Sequence, residues 1–268
     1  MSKILTHLSL FTGIGGLDLA AEWAGFKTVA QCEWGDYQTK VLERNWPNIP
    51  RWKDIHSLNG QRFYDNTGMT TVDVVSGGFP CQPFSTAGLR KGKRDERYLW
   101  PEFLRIIQEL RPNWVVGENV VGIIGMALDD ILVQMEKENY ETRIFVLPAY
   151  AVGALHQRYR VAIVAHCCGN GRADEIKFWK SENDSPESKI IQKQKERSIC
   201  INSRIEQLGF REMRRAEWED SDWIRKSGIC RVVDGIPDRL DRLICLGNAV
   251  VPQQFYPIFK CIHDIENN

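Results

Sequence analysis

The passage from His7 to Gly25 restricts the fold more than any other in the chain. His7 to Phe11 is a short apolar run suited to a buried strand, and Thr12-Gly13-Ile14-Gly15-Gly16 follows it without a spacer. Leu17 to Ala24 then carries alanine, leucine and tryptophan at helical spacing, and Gly25 stands where a C-cap is expected. A strand, a glycine-rich turn and a helix in direct succession open the doubly wound α/β folds, whose ligands sit at the carboxyl ends of the strands. Glycines let a ligand approach the backbone, and the helix N-terminus favours anionic groups. The spacing is tighter than G-x-G-x-x-G, so a dinucleotide is not the natural ligand. Taken alone, such a turn serves structure as readily as binding.

The next strand, Lys27 to Cys32, ends in Glu33-Trp34. A carboxylate there, just under twenty residues after the glycines, is placed to bind both hydroxyls of a ribose, and Trp34 could pack on an adenine face. A solvated strand-end carboxylate is the plainer alternative for Glu33. Asp36 to Asn45 reads as a helix, and Trp52-Lys53-Asp54-Ile55 then offers a second carboxylate, able to accept from an exocyclic amine. Three such cues in order favour a nucleoside-containing ligand.

Val72 to Val75 reads as a buried parallel strand leading into Gly77-Gly78-Phe79-Pro80-Cys81-Gln82-Pro83-Phe84-Ser85. Glycines free the backbone around this cysteine and prolines fix it. A lone cysteine is more often a small buried side chain than a nucleophile. Arg90 to Arg97 holds five basic and two acidic residues around Gly92, a local positive patch that suits phosphate contact or simple solvation. Leu99 to Leu110 is an amphipathic helix ended by Arg111-Pro112, and the strand Trp114 to Gly117 delivers Glu118-Asn119-Val120. A carboxyl group at that strand end could act as an acid, with its pKa raised by desolvation. Met126 to Tyr140 is expected to be helical, with Glu141 to Leu147 and Val161 to Ala165 as paired strands. Between those strands, alternation puts Arg158 and Arg160 on one face, where they could meet a base edge or a phosphate. From His166 to about Asp234 the chain turns polar and loses periodicity, and a last helix runs from Gln253 to Ile265.

The full chain has 268 residues, zero formal net charge and a hydrophobic fraction of 43%, as expected of an ordinary globular protein. Neutrality argues against a broadly basic nucleic-acid binder while allowing a local basic groove. No apolar run reaches the length of a membrane span, and the first residues do not read as a signal peptide. The eight cysteines form no C-x-x-C pair and no zinc-ligand spacing, which suits reduced thiols in a cytoplasm and no metal.

In these blocks, taken together and in order, the chain resembles the DNA cytosine-5 methyltransferases of the compact bacterial and phage type. Phe11 to Gly16 resembles the family's cofactor loop, Gly78-Phe79-Pro80-Cys81-Gln82 its nucleophile loop, and Glu118-Asn119-Val120 its E-N-V motif. Arg158-Tyr159-Arg160 and Gly247-Asn248-Ala249-Val250-Val251-Pro252 resemble its last two blocks. The likeness covers residues 5 to 165 and 232 to 260. It departs at His156, where many members have glutamine, and in the short polar segment from 166 to 231.

The resemblance implies a Rossmann-like, S-adenosylmethionine-dependent methyltransferase sheet with helices on both faces. Residues 1–165 and 235–268 would form the catalytic and cofactor domain, with 166–234 a short target-recognition region. It implies Cys81 as a nucleophile on carbon 6 of a flipped cytosine, because a thiolate adding there makes carbon 5 enamine-like. Glu118 would hold the ring nitrogen and exocyclic amine, and Arg160 with Arg158 would hold the carbonyl oxygen or orient Glu118. Phe11, Gly13, Ile14, Gly16, Glu33, Trp34, Asp54, Ile55, Pro80, Leu99, Asn248 and Ala249 would line the S-adenosylmethionine pocket. Gln82, Ser85 and Asn119 would serve the substrate, with the loop from Ser85 to Tyr98 closing over the base. Double-stranded DNA is the implied partner of a monomeric, cytoplasmic, nucleoid-associated enzyme, beside a cognate restriction endonuclease where one exists. An RNA-directed branch tends to have proline in place of Phe79, and a silent DNA-binding homologue would be expected to have lost Cys81, Glu118 or the glycine loop.

Overall fold

Residues 3–80, 98–168 and 245–267 are described by the computed structural model of the chain. Its apolar runs form seven strands: β1 Leu5–Leu10, β2 Phe26–Cys32, β3 Arg51–Trp52, β4 Val74–Gly77, β5 Trp114–Val120, β6 Tyr140–Leu147 and β7 Arg160–Cys167. They make one sheet in the order β3-β2-β1-β4-β5-β7-β6. The first five strands of that order pair in parallel, and β7 runs antiparallel to both β5 and β6. The chain winds outward from β1 to β3 and then crosses back to place β4 on the other side of β1. This reversal creates the crevice at which such sheets bind ligands.

Alternation along the strands feeds two cores. Val74, Trp114, Val116, Ala162 and Val164 face α1 (Gly16–Trp23) and α6 (Pro252–Asn267), which supply Leu17, Ala20, Ala21, Phe255, Phe259 and Ile262. Val75, Val115 and Ile163 pack with Phe63 of α3 (Gly60–Thr67), Phe103, Ile106 and Ile107 of α4 (Trp100–Leu110), and Ile131 and Met135 of α5 (Leu128–Lys137). Helices therefore cover both faces, as the sequence implies. The helix Asp36–Asn45, α2, buries only Leu42.

A polar ladder crosses the centre of the sheet. His7 Nδ1 meets Thr28 Oγ1 at 3.0 Å and His7 Nε2 meets Ser76 Oγ at 2.7 Å, joining β2, β1 and β4. Full burial pushes His7 down to about 3, so the ring is neutral at ordinary pH. Beside it, Asp18 of α1 accepts from Ser9 Oγ and Gln31 Nε2, both at 2.8 Å, and Gln31 Oε1 accepts from Arg51. Buried polar groups with such partners cost little and fix strand register, which apolar contacts do loosely.

Several boundaries differ from the sequence expectation for physical reasons. The strand expected from Val72 begins at Val74, because the Asp73 carboxylate accepts from the Thr6 amide and hydroxyl and replaces the ladder there. The helix expected from Met126 to Tyr140 is shortened to α5, Leu128–Lys137, and a 3-10 turn, Val121–Gly125, precedes it. It stops because Asn139 takes a left-handed φ of 64°, and Tyr140 opens β6. Most consequential is β5, which runs on through Glu118-Asn119-Val120 instead of ending before them. Its parallel partner β4 stops at Gly77 opposite Gly117, while antiparallel β7 pairs it as far as Val120 opposite Arg160.

Candidate active site

At the carboxyl end of β1 the backbone turns through left-handed conformations at Phe11, Gly13 and Gly15, with φ of 50°, 59° and 89°. A bulky residue rarely adopts this region, so Phe11 must be held there. The Thr12 amide donates to Cys32 O at 3.1 Å, and its hydroxyl donates to Ser9 O at 3.1 Å. A Cβ on Gly15 would come within 2.4 Å of the Trp46 ring, and one on Gly16 within 2.7 Å of Val250 O. Gly13 instead has no atom of the described residues within 4 Å of its would-be Cβ.

Glu33, following β2, closes this turn. Its Oε2 accepts from Gly13 N at 2.7 Å and its Oε1 from Gly35 N at 2.8 Å, tying the glycine turn to the start of α2. Burial raises its pKa against the pull of those two amides. Each oxygen keeps a second acceptor position, so the bonds leave Glu33 able to receive hydroxyls. Trp34 beside it is 71% exposed. Past β3, Asp54 Oδ1 accepts from His56 N at 3.0 Å and faces His56 Nδ1 at 2.8 Å. Those bonds hold its pKa down, and Oδ2 takes no hydrogen bond among the described residues. Ile55 is buried, Ile14 and Leu99 are half-buried, and Leu99 O caps α4 by accepting from Phe103 N.

A second cluster lies at the ends of β4 and β5. Glu118, 8% exposed, meets Arg160 Nε through Oε1 at 2.8 Å. Burial pushes the carboxyl up to about 7, against the opposing charges of Arg160 and Arg158. A Cβ on Gly78 would come within 2.7 Å of Glu118 Oε2, so a larger residue there would push the carboxyl group from its present position. Asn119 Nδ2 donates to Phe79 O at 2.9 Å, and the Phe79 ring stacks on Phe103 at 5.6 Å and tilts against Trp100 at 5.1 Å. The backbone is thereby anchored up to half-buried Pro80, next to Cys81 in sequence. Cys81, Gln82 and Ser85 lie outside the described residues, as does most of the segment expected to recognise the target.

The two arginines do not share a strand face. Arg160 opens β7, whereas Arg158 precedes it with a positive φ of 30°. Arg158 donates through one terminal nitrogen to Gly247 O at 2.8 Å and to Ala249 O. Asn248 is exposed and Ala249 half-buried between those contacts. The structure thus gathers the glycine turn, Glu33, Asp54, Gly78, Glu118 and Asn119 on the carboxyl edge of the parallel strands, with the Gly247–Val250 block against the turn. Sequence reasoning missed Gly78 as a contact of Glu118, and Gln254, which binds the Arg158 backbone. A glycine between a buried strand and Phe-Pro was the available sign for the first; nothing local marked the second. Two surface depressions of about 380 and 390 Å³, beside Asn139 and Arg44, include none of these residues.

Comparison with known proteins defines the class. A protein described as a DNA modification methyltransferase, encoded in an Escherichia coli prophage, superposes with a TM-score of 0.53 at 27% identity, over 61% of this chain and 47% of that one. The fold is a methyltransferase α/β sheet. A family model, C-5 cytosine-specific DNA methylase, matches residues 5–207, and the chain belongs to that family. The Type II methyltransferase M.AquIA of Picosynechococcus is 35% identical over 178 residues, covering 60% of this chain and 72% of the relative. M.FnuDI of Fusobacterium nucleatum is 33% identical over 162 residues, 59% of this chain and 45% of the relative. The chain spans about half the length of the first curated relatives it matches, 45%, 51% and 43% of three of them.

Proposed function

We propose that this protein transfers a methyl group from S-adenosylmethionine to carbon 5 of a cytosine flipped out of duplex DNA, as a restriction-modification type enzyme. The observation that carries it is the Glu118–Arg160 pair lying against Gly78, on the edge where the β4 loop leads into Cys81. Family membership supplies the substrate class, and the relatives named Type II methyltransferases support the modification role.

The residues present fit the methyl donor. Among the described residues, Gly13 has open space beside a left-handed backbone, Glu33 retains acceptor positions for ribose hydroxyls, Trp34 has an exposed ring, and Asp54 Oδ2 is open to an amine. When bound, S-adenosylmethionine supplies an electrophilic methyl on sulfonium. The chain's own groups make the acceptor. Cys81, as thiolate, adds to carbon 6 and forms an S–C bond, and the ring electrons move toward carbon 5 and N3. Glu118, whose raised pKa keeps much of it protonated near neutral pH, gives its proton to N3. Arg160 orients that carboxyl and stabilises it once it is anionic. After methyl transfer, loss of the carbon 5 proton to a base expels the Cys81 thiolate, and N3 returns its proton to Glu118, which restores the neutral ring. Asn119, through Phe79 O, holds the nucleophile loop over Glu118.

The protein is read as a monomer acting in the cytoplasm of a bacterial or phage-infected cell, with residues 166–234 choosing the target and an endonuclease of matching specificity as a partner. Among the described residues no helix is long and apolar enough to cross a membrane. The reading is tested by incubating the protein with tritiated S-adenosylmethionine and either duplex DNA or transfer RNA. Label is expected in DNA, with Cys81→Ser reducing it more than about 10³-fold. DNA containing 5-fluorocytosine should trap a denaturation-resistant complex with the unmutated protein and not with Cys81→Ser. Label in transfer RNA alone would overturn the DNA assignment.

A further inference from the structure

We propose that Arg158 is a positioning residue that clamps the Gly247–Val250 block onto the glycine turn, and not a ligand of the DNA. The inference rests on the methyltransferase reading, and four observations support it. The guanidinium already serves two backbone carbonyls, Gly247 O and Ala249 O, about ninety residues away in sequence. Val250, the next residue, presses on the opening of α1, where a Cβ on Gly16 would be 2.7 Å from Val250 O. Gln254 of α6 grips the same place from the other side, its Nε2 donating to Arg158 O at 3.1 Å and Leu147 O at 2.7 Å. Finally, Arg158 holds a φ of 30°, and its buried Nε has no hydrogen-bond partner among the described residues, both unfavourable for an arginine free to face solvent.

A residue kept in an uncommon backbone conformation needs surroundings that determine it from several directions, as Gln254 and the two carbonyls do here. The result is a chain of contacts running from Glu118 to Arg160, two residues along the backbone to Arg158, across to Ala249, and through Val250 to Gly16. One end of that chain holds the base and the other shapes the methyl-donor pocket. Fixing their separation is what an in-line transfer between two bound reactants requires, since a misplacement of about 1 Å can cost on the order of 10²-fold in rate. Lysine is a poor replacement for Arg158, because its side chain ends one bond short of the terminal nitrogen that reaches both carbonyls.

The test compares the unmutated protein with Arg158→Lys, Arg158→Ala and Gln254→Ala. Titration calorimetry with S-adenosylhomocysteine, without DNA, should show Kd raised at least about tenfold in both Arg158 variants and several-fold in Gln254→Ala. The slope of log Kd for duplex DNA against log salt should be unchanged in Arg158→Ala, whereas loss of a phosphate ligand lowers it by about one. Arg158→Lys with unmutated affinity for S-adenosylhomocysteine, or a lowered salt slope in Arg158→Ala, would overturn the clamp. Amide hydrogen exchange over residues 249–256 reads it independently of any ligand. Faster exchange in Arg158→Lys or Gln254→Ala supports the clamp and unchanged exchange rejects it, even if Arg158→Ala fails to fold. Should the unmutated protein bind no S-adenosylhomocysteine, the methyl-donor reading fails while the exchange result still decides the clamp.

Discussion

Glu33 and Glu118 are both desolvated carboxylates at strand ends on one edge of one sheet, yet they are held by different kinds of donor. Glu33 receives two backbone amides, from Gly13 and Gly35, and among the described residues no arginine bonds to it. Glu118 faces Arg160 at 2.8 Å with Arg158 nearby, and burial still carries it to about 7. Backbone donors are fixed by the fold and set a shape. A side-chain cation beside a buried acid leaves its proton close to balance. On the proposed function, one carboxylate builds a pocket and the other exchanges a proton.

The sharpest way to break that contrast is Glu118→Gln, which keeps the size and removes the titrating group. It is expected to lower kcat by about 10²–10⁴-fold while leaving the Kd of S-adenosylhomocysteine within about twofold. Single-turnover kinetics with duplex DNA, paired with calorimetry, would check both halves. A fall in cofactor affinity as large as the fall in kcat would erase the distinction. Glu33→Ala should do the reverse, weakening S-adenosylhomocysteine by about 10–100-fold and leaving Gly13 and Gly35 amides without their acceptor. Methyl transfer at saturating donor should then drop far less than in Glu118→Gln. The smallest effect is on stability against pH. Because the folded pKa of Glu118 lies above the unfolded value, the native state binds more protons between about 4.5 and 7 and loses stability as pH rises through that window. Urea unfolding at pH 5 and pH 7 should show the unmutated protein losing on the order of 1–2 kcal/mol relative to Glu118→Gln.

Much of the fold was legible because its signals are local. The apolar runs, the helical spacing of Leu17 to Ala24 and the strand-turn-helix order place β1, α1 and β2 to within about two residues. The described parts of the motifs lie on one edge because parallel strands put their carboxyl ends together. What could not be read locally is pairing. The sequence stops the β5 strand at Gly117, since nothing nearby says that antiparallel β7 will carry it on through Val120. Likewise the alternation argument for Arg158 and Arg160 needs both to lie in a strand, and the positive φ at Arg158 is set by Gln254 and the Gly247–Ala249 carbonyls, all distant in sequence. Asn119, expected to serve the substrate, also donates to Phe79 O, a partner 40 residues upstream that nothing near it in sequence marks. Cys81 itself was singled out by its neighbours in sequence and by resemblance, and its loop lies outside the described residues.

The His7 ladder has a consequence at some distance from it. A strand offers two possible facings, and sliding β1 by one residue would turn His7 and Ser9 toward the opposite core and carry the glycine turn about 3.3 Å along the strand direction. Gly13 N would then be out of hydrogen-bonding range of Glu33, since the present contact is only 2.7 Å long. Thr28 and Ser76, which match the imidazole in one alignment alone, act as a detent that stops the slide. The height at which a methyl donor would rest is therefore set in the interior of the sheet, by a neutral ring that meets neither reactant.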